Sequence, residues 1–128
     1  MPTISGRLDG HGQPVVDLRI IGALRDAIAL VDTGYDGEIL FYHDQLRDIG
    51  VQPIFTHMDR IRLADATEIP LLVAAVVVDW LGEPKPVNVD VVASSPPHDA
   101  RSLIGCRLLR DALLEVDFPR GEVRISRG

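Results

Sequence analysis

The chain has one cysteine, no block of lysines or arginines and no long apolar run, and each scarcity excludes something. Cys106 cannot form an internal disulfide, and its isolation points to a reducing, cytoplasmic setting. The 13 Lys+Arg are scattered among 19 Asp+Glu for a net charge of −6, so the electrostatic footprint of a nucleic-acid binder is missing. The longest apolar run, residues 71–78, stops at Asp79, far short of the roughly 20 residues a membrane-spanning helix needs. The first ten residues have neither the cationic start nor the apolar segment of a signal peptide. His11, His43, His57 and His98 fall in expected loops or at a helix start without metal-ligand spacing, so neither a metal nor a cofactor is expected. No internal repeat and no low-complexity tract is present.

What remains is an ordinary globular composition: 128 residues, 46 % hydrophobic and 25 % charged. Residues 1–128 read as a single domain, long enough to bury a core without disulfides or a structural metal. For an enzyme it is small, and a complete site then calls for a second copy.

Most of the patterning has period two. Val16, Leu18 and Ile20 alternate with polar residues, as do Ile61 and Leu63, and Val87, Val89 and Val91; these read as half-buried strands. Residues 71–78 read as a strand buried on both faces. Glu83-Pro84-Lys85-Pro86 and Ser94-Ser95-Pro96-Pro97 read as loops. Near the end, two strands, residues 114–117 and 122–125, flank Phe118-Pro119-Arg120-Gly121, with proline and glycine placed for a type I turn. Two short helices are expected, over residues 43–49, stopped by Gly50, and over residues 107–113, with Leu108, Leu109, Ala112 and Leu113 on one side. The fold class is mostly β with minor helix.

One segment can carry chemistry. The apolar strand ending in Ala29-Leu30-Val31 runs into Asp32-Thr33-Gly34-Tyr35-Asp36-Gly37-Glu38. Glycine at 34 lets the backbone approach and donate its N–H towards the Asp32 carboxylate, and Thr33 brings a hydroxyl. A rigid, partly desolvated aspartate suits general acid/base work. Asp and Gly are also turn formers, so the tripeptide alone fits an ordinary turn. Asp36 and Glu38 read as solvated neighbours, Cys106 as a small buried hydrophobe, and Ser94, Ser95 and Ser102 lack the context of a nucleophile.

About seventy residues downstream, Ser102-Leu103-Ile104-Gly105 precedes the second helix, and Leu114-Glu115-Val116-Asp117 and the hairpin close the chain. From the Val15 strand to Ile125, this ordered set resembles the retropepsin-like (clan AA) aspartic proteases, and within them a small bacterial and archaeal group with an aromatic residue after Asp-Thr-Gly, as Tyr35 is here. The resemblance implies a half-pepsin acid-protease barrel in which Leu103-Ile104-Gly105 packs across the Asp32 loop. Asp32, Thr33 and Gly34 would form the catalytic turn, with Tyr35 and Ile104 on the substrate side. It also implies a flap. Arg60-Ile61-Arg62-Leu63 and Glu68-Ile69-Pro70-Leu71 are its arms, and Ala64, Asp65, Ala66 and Thr67 its substrate-contacting tip. A left-handed Ala66 would cost roughly 1 kcal/mol or more relative to glycine, so the tip is expected to use another turn type or to move less.

Peptide hydrolysis by carboxylates needs two of them, one ionised and one protonated. One Asp-Thr-Gly per chain therefore implies a homodimer with an Asp32 from each copy on the twofold axis, Thr33 bonding across it, and one proton shared between the carboxylates. An extended peptide or protein would be the substrate, with a rate maximum at roughly pH 3 to 6.5. The strand at residues 122–125 is a candidate for the interface. The alternatives are a catalytically inactive dimer of the same fold that binds peptides or acts structurally, and an unrelated small β-barrel with a ligand pocket.

Overall fold

The computed structural model describes residues 2–62, 65–94, 96–97 and 100–128. Among these, the elements run β1 (Ile4–Leu8), β2 (Pro14–Leu18), β3 (Ala27–Val31), β4 (Ile39–Tyr42), α1 (His43–Asp48), β5 (Ile54–Arg62), β6 (Glu68–Trp80), β7 (Glu83–Val92), β8 (Ser102–Ile104), α2 (Cys106–Leu109), β9 (Ala112–Asp117) and β10 (Glu122–Arg127). The strands form one 10-stranded sheet in the order β5-β6-β7-β4-β8-β3-β2-β1-β10-β9. The expectation of a mostly β chain with two short helices holds. No helix among the described residues is long and apolar enough to cross a membrane.

Alternation decides which face is buried. Val87, Val89 and Val91 of β7 point into the main core with Phe41, Ile39, Val16 and Ile104, while Asn88 and Asp90 point the other way. Tyr35, Leu40, Leu71 and Val92 form a second, smaller cluster on that opposite face. α1 begins where the Gln45 side chain turns back to accept the Tyr42 N–H at 2.9 Å, which satisfies one of the orphan donors of a helix start. It ends at Gly50, whose φ of 80° suits a residue without a Cβ. The final turn is as read: Gly121 N–H donates to the Phe118 carbonyl, and Glu122 pairs with Asp117.

Several details differ from the sequence reading. The second helix is a single turn, because Ala112 and Leu113 pair with Arg127 and Ser126 and belong to β9. Cys106 is exposed rather than buried, the inward position of that turn falling to Leu108. Glu83-Pro84-Lys85-Pro86 opens β7 instead of forming a loop. β4 pairs only with residues 89–92, so the first half of β7 is an edge where proline removes no ladder bond. The 71–78 run is not covered on both faces, since Ala75 and Val77 are exposed. β5 is exposed rather than half-buried, with Ile54, Phe55 and Met58 open to solvent, because it is the outermost strand. His57 lies in that strand, not in a loop. β10 has partners on both sides, β1 and β9, so it offers no free edge; the open edge at that end is β9. Leu63, Ala64, Ser95 and His98 lie outside the described residues, as do the side-chain surroundings of Ile61.

Candidate active site

β3 delivers Asp32 to the surface between two neighbours. β2 pairs with it antiparallel and β8 parallel, with Val31 opposite Ile104. The strand register continues one residue further: the Asp32 N–H donates to the Ile104 carbonyl at 2.9 Å. The chain then turns. Gly34 N–H donates to Asp32 Oδ1 at 2.9 Å and Tyr35 N–H to the Asp32 carbonyl at 3.1 Å. The carboxylate is thus held by a backbone donor while staying partly open to solvent. Thr33 and Gly34 are exposed on the outside of the turn.

Leu103-Ile104-Gly105 packs across this loop as expected. Gly105 N–H donates to the Glu38 carbonyl, Cys106 N–H to the Tyr35 carbonyl and Arg107 N–H to the Gly37 carbonyl. The approach is close enough to need glycine. A Cβ on Gly105 would stand 2.6 Å from Tyr35 Cδ2 and 2.7 Å from the Tyr35 carbonyl oxygen. Ile104 itself is fully buried in the main core, and Leu103 is the residue of that strand that packs on the smaller cluster.

Tyr35 turns inward. Its ring is 7 % exposed, packed with Leu40, Leu71 and Val92. Its hydroxyl donates to Asp90 Oδ2 at 2.5 Å and also faces the Ile39 carbonyl at 3.2 Å. Burial, then the Asp90 hydrogen bond and charge, push the phenol far above its ordinary range. Asp90 is the residue the sequence reading missed. The alternation of Asn88 and Asp90 with the core valines marks an acid on the opposite face of β7, but not the tyrosine it meets.

The flap-like hairpin is present. β5 and β6 pair with Arg60 opposite Pro70, Ile61 opposite Ile69 and Arg62 opposite Glu68. Its base stands beside the Asp32 loop, because Leu71 packs in the Tyr35 cluster. At the tip, Asp65, Ala66 and Thr67 are exposed, and Ala64 lies outside the described residues. Contrary to expectation, Ala66 does adopt the left-handed conformation, with φ 68°. Asp65 Oδ1 accepts the Thr67 N–H at 2.9 Å, an Asx turn that fixes the bend around the strained residue. Bonds from Thr67 hold the Asp65 carboxyl below its usual range.

Asp36 is exposed, and Glu38 is half-buried with Oε1 accepting the Asn88 N–H. Ser102 is buried, its hydroxyl donating to Gln45 Oε1 at 3.2 Å. Among the described residues no group of three or more His, Cys, Asp or Glu is placed to hold a metal. The Asp32 carboxylate thus sits on a hydrogen-bonded turn at a strand end, with the β5–β6 hairpin rooted beside it.

No protein-family model matches the chain, and no curated protein does. Solved structures do. The EIAV protease complexed with the inhibitor HBY-793 superposes with a TM-score of 0.63 at 14 % identity, covering 80 % of this chain and 90 % of that one. A retropepsin-like aspartic protease from Rickettsia conorii superposes with a TM-score of 0.55 at 16 % identity, covering 95 % of this chain and 90 % of that one. Mostly β, with two one- or two-turn helices and an Asp-Thr-Gly turn crossed by Leu103-Ile104-Gly105, the chain has the fold of a retropepsin-like acid-protease barrel.

Proposed function

We propose that the protein is a homodimeric aspartic endopeptidase in which an Asp32 from each copy activates one water. The observation that carries this reading is the Asp32 turn itself: a carboxylate at a strand end, held by the Gly34 N–H at 2.9 Å and anchored through Ile104, in a fold shared with the EIAV protease and a retropepsin-like aspartic protease. One carboxylate per chain cannot do the reaction. In the dimer, the ionised Asp32 takes a proton from the water as it attacks the peptide carbonyl, while the protonated partner donates to the carbonyl oxygen. Collapse of the tetrahedral intermediate returns a proton to the leaving amine. Asp65, Ala66 and Thr67, with Ala64, would close over an extended peptide, and Thr33 would bond across the axis.

The open β9 edge is the place for the second copy. Beside it, a hollow of about 720 Å³ is lined by residues that include Ser5, Glu115, Phe118 and Arg124, and Phe118 and Leu113 are exposed there. The unpaired, exposed Cys106 keeps a cytoplasmic location within the proposal.

A second reading, an inactive dimer that binds extended peptides, is favoured by one observation, the Tyr35 ring packed beside the site. Cleavage of an unstructured protein at acidic pH by wild type and by Asp32→Asn separates the two. The endopeptidase loses its activity in the variant; equal cleavage by both chains, or a strict monomer at working concentration, removes the composite site. Peptide binding that survives Asp32→Asn, with no cleavage by wild type, favours the binding module.

A further inference from the structure

The turn that carries Asp32 is complete without the Tyr35 side chain. Its bonds run through the Gly34 and Tyr35 amides, the Ile104 carbonyl and the amide of Cys106, all independent of the ring. Yet the ring is enclosed from every side. Leu71 from the root of the hairpin, Leu40 from β4 and Val92 from β7 wall it, with Leu103 packed against them. Gly37 and Gly105 lie flat on it, and a Cβ on either would strike the ring. At the far end the hydroxyl meets Asp90, fifty-five residues away in sequence. An apolar sleeve with an acid at its bottom, set beside a catalytic-type turn and the root of a flap-like hairpin, has the form of a side-chain pocket. Here the chain fills it with its own residue.

We propose that Tyr35 is a specificity-determining plug: its ring occupies an aryl-sized pocket beside Asp32, and Asp90 is the positioning residue that keeps it there. An extended substrate must then present a small side chain, Gly, Ala or Ser, at that subsite. The inference rests on the endopeptidase reading and deepens it by naming the substrate feature that the site selects.

Two measurements test it. Tyr35→Ala empties the pocket by one phenol. Phenol raises the melting temperature of Tyr35→Ala but not of wild type, and binds the variant at least about tenfold more tightly than benzene, which has no hydroxyl for Asp90. In a peptide library, Tyr35→Ala gains about tenfold in kcat/KM for substrates with Tyr or Phe at the restricted position, and phenol competes the gain away. A cleavage profile identical to wild type, or phenol binding no better than benzene, overturns the proposal. Should Tyr35→Ala fail to fold, Tyr35→Phe keeps the ring but unties it, and tolerance of larger side chains rises about threefold; no change in tolerance overturns the plug. The two readings fail separately. Cleavage that persists in Asp32→Asn sinks the endopeptidase, whereas the phenol titration decides the pocket without any activity.

Discussion

The amide of Asp32 donates to the carbonyl of Ile104 at 2.9 Å, so the strand that carries the acid and the strand that crosses behind it are one hydrogen-bonded unit. The backbone that mounts this carboxylate cannot shift without breaking the sheet, and the Gly34 N–H holds the carboxylate itself. Rigid placement of a reacting group on a strand end lowers the cost of reaching the productive geometry.

The glycine that follows Ile104 should be intolerant of any side chain. Gly105→Ala pushes a methyl into the Gly37 carbonyl and the Tyr35 ring and backbone, and is expected to destabilise by about 3 kcal/mol. Gly121→Ala is the control. With φ 68° and open space around it, that change carries only backbone strain, about 1 kcal/mol. Equal shifts in urea midpoint for the two variants would show that close packing at Gly105 has no special weight.

At the hairpin tip the strain points the other way. Ala66 sits at φ 68° with its side chain exposed. Ala66→Gly relieves the left-handed strain at a smaller cost in unfolded-state entropy, for a net gain of about 0.5 kcal/mol. Ala66→Val loses more than it keeps. Hydrogen exchange of the Thr67 amide reads this locally, slower in the glycine variant and faster in the valine one.

Tyr35 makes stability fall at high pH. The folded phenol titrates far above its ordinary value, first because of burial and second because of Asp90. The unfolded chain gives up this proton near pH 10 while the native state holds it, so the native state binds more protons and stability falls as pH rises past that point, by at most about 1.4 kcal/mol per pH unit. Below it, the contribution is fully present. Urea midpoints from pH 8 to 11 should show this slope in wild type and a shallower one in Tyr35→Phe.

A shared site also has a mixing signature. After subunit exchange, an equal amount of Asp32→Asn chain should lower the activity of a fixed amount of wild type to about half, since random pairing leaves that share of matched dimers. An enzyme complete in one chain would be unaffected by the added variant.

Much of this architecture was legible because burial writes a period. The valines of β7 and the hairpin of β9 and β10 follow directly from alternation and turn residues, and so does the end of α1 at Gly50. The helix expected over residues 107–113 is shorter for a physical reason: Leu108, Leu109, Ala112 and Leu113 satisfy helical spacing, and only pairing with β10 draws the last two into a strand. β1 and the turn at Leu81 and Gly82, both at positive φ, gave no such signal. At the candidate site, the Asp32 turn and its crossing strand were readable from their order in the chain. The Tyr35–Asp90 bond was not, because its two ends are joined only when β7 is laid parallel to β4.

A sheet whose terminal strands are β5 and β9 has two places to grow. If β9 of one copy pairs antiparallel with β9 of another, a twofold rotation maps the contact onto itself, both edges are used up, and growth there stops at two. Pairing β9 to β5 would instead repeat without limit. β5 discourages that outcome: its register slips between Phe55 and His57, and Arg60 and Arg62 stand charged along it, devices that spoil a strand as a template. The uneven ends of this one sheet thus favour a closed pair over a fibre.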